Sequence, residues 1–213
     1  MKNQVVVIIA VLSVLALSCK KKSEEPIPTP VPVVKANYFQ LKVGNYWIYQ
    51  GFHVDTNGIA TPTGDFDSAY IEKDTVMRGF TYYKLIERQY LIMPQWGTFL
   101  RDSSGYLVTA GGYVIASDCN FTDILAVDTS SKQIYIGTAK MTGKDSLVVS
   151  PAGTFQSITW SRKIVPTPPN PMHWPVRYAY EVYGKGVGKI KSSTFFFSVS
   201  WTIESWLVRY KVD

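Results

Sequence analysis

From Tyr38 to the C-terminus, apolar and polar residues alternate with a period of two, in runs broken by Gly, Pro, Asn and Asp. A period of two fits strands with one buried face, whereas an amphipathic helix needs apolar residues every three or four positions. Tyr46, Ile48, Phe52 and Val54 fall on one strand face, with Trp47, Tyr49 and His53 on the other. Asp55-Thr56-Asn57-Gly58 then supplies turn chemistry, because Asn-Gly tolerates positive φ. Residues 69–76 and 81–88 read as the arms of a hairpin around Arg78-Gly79, and shorter strand-like runs follow at 97–101, 106–108, 113–116 and 132–137. Residues 147–149 and 155–165 flank the turn Ser150-Pro151-Ala152-Gly153. Tyr178, Tyr180 and Val182 alternate with Ala179, Glu181 and Tyr183. Phe195, Phe197, Val199, Trp201 and Ile203 alternate with Phe196, Ser198, Ser200 and Thr202, which predicts one strand, and residues 206–212 complete a last hairpin with it. Residues 119–127 are the one stretch that reads as a short helix. The expected fold is all-β: a curved antiparallel sheet or open half-barrel meander, forming a single domain over residues 37–213.

The first 36 residues follow different rules. Lys2 precedes an apolar run from Val5 to Leu17 broken only by Ser13. As a helix the run spans roughly 20 Å at about 1.5 Å per residue, short of the roughly 30 Å of a bilayer core. It therefore reads as a secretory leader over residues 1–18, with an uncleaved membrane anchor as the alternative. The leader ends in Leu15-Ala16-Leu17-Ser18-Cys19, followed by Lys20-Lys21-Lys22. This end resembles a lipobox, the site cut by the bacterial lipoprotein signal peptidase, with Ala16 where the pattern more often has Leu. The resemblance implies cleavage between Ser18 and Cys19, and a lipid (a diacylglyceryl thioether, usually with a further acyl chain such as palmitate) on Cys19. Two or more chains hold a protein on a membrane where one does not, and the lysines add attraction to anionic headgroups. Ser23-Glu24-Glu25 resembles the export signal that some Gram-negative bacteria use to display lipoproteins, the alternative being a solvated charge cluster. The expected location is the bacterial cell envelope, at the outer membrane.

Prolines at 26, 28, 30 and 32 alternate strictly through the segment 19–36. Each fixes its own φ and biases its predecessor toward extended geometry, so a polyproline-like tether of up to roughly 40 Å is expected. A Pro-rich ligand for a partner's groove is the alternative.

Charge and cysteine usage narrow the function classes. Against 16 acidic residues the chain has 22 Lys and Arg, or 21 after loss of Lys2, so the mature formal charge is 21 − 16 = +5. Three of those charges adjoin the lipid and the rest are scattered, which argues against nucleic acid as a partner. With Cys19 assigned to lipid, Cys119 has no partner for a disulfide and is expected to be a buried, inert thiol. A hydrophobic content of 46% with 14% aromatics is ample for a core without disulfides.

Three stretches together resemble a recurring type of uncharacterised bacterial lipoprotein domain. They are Tyr38-Phe39-Gln40-Leu41-Lys42-Val43-Gly44-Asn45-Tyr46-Trp47, then Val149-Ser150-Pro151-Ala152-Gly153-Thr154-Phe155, then Tyr183-Gly184-Lys185-Gly186-Val187-Gly188-Lys189-Ile190-Lys191. The resemblance implies a curved antiparallel sheet and no assigned activity. Gly44, Gly153, Gly186 and Gly188 are expected at turns or bulges that need positive φ.

Catalytic signatures are sparse. His53 and His173 stand far apart, without carboxylate or Cys at metal-ligand spacing, so no metal or cofactor is expected. Asp65 and Asp67 fall short of the oxygens a calcium site needs. Glu72, Asp74, Glu87, Glu181 and Glu204 are candidate glycosidase acids, with nothing to select two of them. Asp67-Ser68-Ala69, Asp74-Thr75-Val76 and Asp145-Ser146-Leu147 resemble the three-residue O-glycosylation site of some Gram-negative periplasms. The proline-rich stretch 166–175 must be a loop, and its tip Met172-His173-Trp174 is a candidate contact surface, unless Trp174 folds back on the sheet. The expected function is that of a non-enzymatic envelope lipoprotein whose β-domain binds a protein or glycan or plays a structural part. A carrier of a lipid or other apolar ligand in the half-barrel concavity is the main alternative, and a hydrolase of envelope polymers a third.

Overall fold

The computed structural model describes residues 37–88, 95–130 and 132–213, with the backbone alone at Trp96. The leader, Cys19 and the tether lie outside them. Within the described residues there is no helix, and the chain forms twelve antiparallel strands in one sheet. The first six are β1 (Tyr46–Val54), β2 (Ala60–Met77), β3 (Phe80–Arg88), β4 (Gln95–Ser103), β5 (Tyr106–Thr109) and β6 (Val114–Ser117). The second six are β7 (Ala126–Thr129), β8 (Tyr135–Ser150), β9 (Gly153–Pro166), β10 (Arg177–Gly184), β11 (Gly188–Phe195) and β12 (Thr202–Lys211).

The strand order is β6-β5-β4-β3-β2-β1-β12-β11-β10-β9-β8-β7. Two six-stranded meanders are thus joined through their outermost members, β1 and β12, which pair from Tyr46↔Lys211 to Val54↔Thr202. The sheet curls until β6 comes against β8, where the Ser117 amide meets Met141 Sδ at 3.4 Å. The result is a nearly closed barrel with a seam between β6 and β7, in the middle of the chain and not at its ends. The all-β expectation holds. Two local readings do not. Residues 119–127 form bends leading into β7, with no helix, because Asn120 and Ser117 side chains take up the backbone amides around them. The strand expected over 195–203 is broken by a turn, so β11 ends at Phe195 and β12 begins at Thr202. The aromatic residues there pack as a turn: Phe196 and His53 both rest against Trp201, and Phe195 meets Phe197 edge-on.

Antiparallel pairing puts the turns at two rims. The lower rim holds the turns at 78–79, 104–105, 151–152 and 185–187 together with both ends of the described chain; the upper rim holds the loops at 55–59, 110–113, 167–176 and 196–201. The β2–β3 turn has positive φ at both Arg78 (52°) and Gly79 (78°), the geometry of a hairpin turn whose twist matches its strands.

The three stretches that carry the lipoprotein resemblance meet at the lower rim. Trp47, 4% exposed, donates its indole N–H to the Val187 carbonyl at 2.6 Å. Gly188, at φ 96°, lies so close that a Cβ there would come within 3.0 Å of the Trp47 ring. The tip of the β8–β9 hairpin reaches β12, where the Ala152 amide bonds to the Leu207 carbonyl at 3.0 Å and Phe155 packs edge-on against Tyr210. Asn45 ties the two chain ends together: its side chain donates to the Gln40 carbonyl at 2.9 Å and accepts from the Asp213 amide at 3.2 Å. Trp47, Ile71, Val182, Val187, Ile190 and Leu207 form the buried cluster at this end.

Candidate functional site

Above that cluster the barrel is hollow. A cavity of about 380 Å³ runs between the strands. The N-terminal segment plugs it from below with Phe39 and Leu41, held by an Asx turn in which Asn37 Oδ1 accepts from the Phe39 and Gln40 amides at 3.2 and 3.1 Å. Its apolar wall comes from Ile71, Leu85, Leu100, Leu107 and Ile115, and aromatic rings of Trp47, Tyr49, Trp160 and Tyr183 add to it. These residues point inward because strand alternation puts cross-strand partners on one face: Ile71 faces Leu85, Leu107 faces Ala116, and Glu181 faces Trp160.

Charge is also inside. Lys189 on β11 donates to Glu87 on β3 at 2.7 Å and to Glu181 on β10 at 3.5 Å; the three side chains are 18, 20 and 24% exposed. Tyr183 donates its hydroxyl to the other oxygen of Glu181, and Tyr49 donates to the Lys189 backbone carbonyl at 2.9 Å. Burial alone would pull the Lys189 ammonium down, but Glu181 and Glu87 outweigh it and hold the group well above the ordinary lysine value. Burial, and next to it the charge of Glu181, pushes the Tyr183 hydroxyl well up. Tyr49 is raised too, chiefly by burial.

A second charged pair borders the cavity. Arg162 on β9 reaches across β8 to the carboxylate of Asp128 on β7 through two hydrogen bonds. It passes over Gly137, where a Cβ would come within 2.5 Å of Asp128 and 2.7 Å of Arg162. Burial lowers the Arg162 pKa, yet hydrogen bonds to Asp128 and Tyr135 leave it raised overall. Asp67 meets Arg88 at 3.4 Å beside a smaller pocket next to Lys189. Trp160 lines the main cavity with its buried indole N–H unpartnered.

Of the acids singled out from sequence, the structure brings Glu87 and Glu181 together on Lys189. Glu204 accepts from the Trp206 indole at 2.6 Å on β12, Glu72 pairs with Lys84, and Asp74 is exposed on β2. The shared lysine bonds to one oxygen of each cavity glutamate. His53 packs on Trp201, and His173 sits at positive φ in the 167–176 loop. In that loop Trp174 folds back to stack on Phe197 at 4.6 Å, while Met172 and His173 stay exposed. Cys119, expected to be buried, is exposed at the seam beside Ser117, 3.3 Å from its hydroxyl. Asp65 is exposed, and Ser146 is the exposed member of the three candidate glycosylation positions, Ser68 and Thr75 being half-buried. Lys189 was missed altogether. The signal for it was its place directly after the positive-φ Gly188, at a bulge where Val182 pairs with Lys191 and Tyr183 with Lys189.

No family model matches the chain, and no curated protein matches it. Two solved structures do. One is a protein from Bacteroides fragilis provisionally described as exported and of YmcC-like fold; the other is provisionally described as a lipoprotein, from Parabacteroides distasonis. Each is 12% identical and superposes with a TM-score of 0.52, covering 83% of this chain and 99% of its own. What the chain shares with both, over nearly their whole length, is the fold.

Proposed function

We propose that this chain is a lipid-anchored protein of the bacterial envelope whose barrel binds a small, partly apolar molecule without transforming it. The anchor rests on the lipobox-like end at Cys19, and the envelope location agrees with the descriptions of the two structural neighbours. One observation carries the binding reading: a cavity of about 380 Å³, apolar on most of its wall and charged at one corner, lies within the size range of small-molecule sites. A barrel filled by its own side chains would have no such space. The cavity also moves the reading from a general contact role toward the carrier alternative.

Native mass spectrometry of the full-length protein, extracted from its own membrane, tests this. A small molecule released on denaturation is expected. Ala179→Phe, which puts a ring into the cavity wall, should abolish its retention. Protein that carries nothing, with Ala179→Phe indistinguishable from the original in every binding assay, would sink the carrier reading.

A further inference from the structure

We propose that the ligand of this cavity is an amphiphile whose polar end is a protonated amine; the inference rests on the carrier reading and adds the chemistry of the headgroup. Arg162, the other cation on the cavity wall, is matched by the single carboxylate of Asp128. Lys189 faces two carboxylates, Glu87 and Glu181, so this corner has a formal charge of −1. Two carboxylates offer about eight acceptor positions between them. Three hydrogen bonds from Lys189 and Tyr183 reach them. The corner therefore has acceptors and negative charge to spare, in a site walled by low-dielectric side chains where a charge mismatch costs most.

An anionic headgroup fits badly. It would sit against Glu87 and Glu181, and both cations within reach, Lys189 and Arg162, already carry carboxylates. An ammonium gains instead. It supplies donors to the open glutamate oxygens, beside the aromatic side chains of Trp47, Tyr49 and Tyr183 on the same cavity wall. The apolar wall of Ile71, Leu85, Leu100 and Leu107 then takes the hydrocarbon part.

Titration calorimetry on the full-length protein with octylamine, octanol and octanoate tests the assignment, since the three probes are all eight-carbon amphiphiles with different headgroups. Octylamine is expected to bind about ten-fold more tightly than octanol, with octanoate weakest. Glu87→Gln and Glu181→Gln should each weaken octylamine about ten-fold and leave octanol within about two-fold. Octanoate binding as tightly as octylamine overturns the amine while leaving the carrier reading standing. No binding by any probe overturns both. Should either variant fail to fold, the ranking of the three probes on the unaltered protein decides alone.

Discussion

The lower end of the barrel and the cavity above it are built from the same strands by opposite means. Below, Trp47, Val187, Ile190 and Leu207 close-pack, and the one polar indole group finds a carbonyl. Above, the same strands bring Glu87, Glu181 and Lys189 inside and leave a void beside them. A packed end gains stability from every contact it makes. A hollow end with buried charge gives up part of that gain, since desolvating the ions offsets most of their attraction. The contrast implies a division of labour, in which the lower end holds the fold and the hollow is kept open for something else.

The sharpest way to break this contrast is at Lys189. Removing it alone leaves two glutamates facing each other without a cation, so Lys189→Met should lower the unfolding free energy by about 3–5 kcal/mol in urea titrations. Adding Glu87→Gln and Glu181→Gln should restore most of that loss. If the triple variant is no more stable than Lys189→Met, the charges are not the source of the cost.

Gly188→Ala probes the lower end in the same units. Its φ of 96° and the 3.0 Å approach to Trp47 leave no room for a methyl group. A loss of about 1–3 kcal/mol in thermal melts is expected. A loss below about 0.5 kcal/mol would mean that the lower end is not packed as tightly as described.

Alkaline pH sharpens the comparison from the cavity side. Unfolded tyrosines lose their protons near pH 10, whereas Tyr49 and Tyr183 keep theirs in the folded barrel. Above about pH 10 the unfolded state therefore binds fewer protons, and stability must fall as pH rises, having been fully present below it. Lys189, also raised, adds to the loss only beyond the ordinary lysine range. Melting temperatures between pH 8 and about pH 11 should be flat and then drop, and Tyr49→Phe should soften the drop. The smallest effect belongs to neither region. Cys119→Ser, at the exposed seam, should change stability by no more than about 0.5 kcal/mol in the same melts.

The two ends were also unequally legible in the amino-acid sequence. The lower end announced itself, because a turn or bulge at positive φ favours Gly; Gly44, Gly153, Gly186 and Gly188 were readable for that reason. The cavity was not. Glu87, Glu181 and Lys189 sit on three strands, and Lys189 reaches back 102 residues to Glu87. Alternation showed that Ala179, Glu181 and Tyr183 share a face, but in a barrel with charge at one corner of its interior it does not say which face is inside. The missed turn at 196–201 has a related cause: three consecutive phenylalanines resemble strand residues, and only the packing of Trp174 and Trp201 against Phe197 and Phe196 makes a turn of them. Cys119 was misplaced because free cysteines are usually buried, and the open seam is where that tendency gives way.

The pairing of β1 with β12 also sets a timetable. The ladder at the middle of the sheet joins Tyr46 to Lys211, so the first strand made waits for the last. A chain emerging N-terminus first, from a ribosome or a translocation channel, can zip β1 to β6 as a meander, yet one edge of β1 stays bare until almost the whole polypeptide has arrived. Contacts so distant in sequence fold slowly, and an unpaired edge invites the wrong partner while it waits. A chain cut short before Thr202 would therefore keep the bare edge permanently.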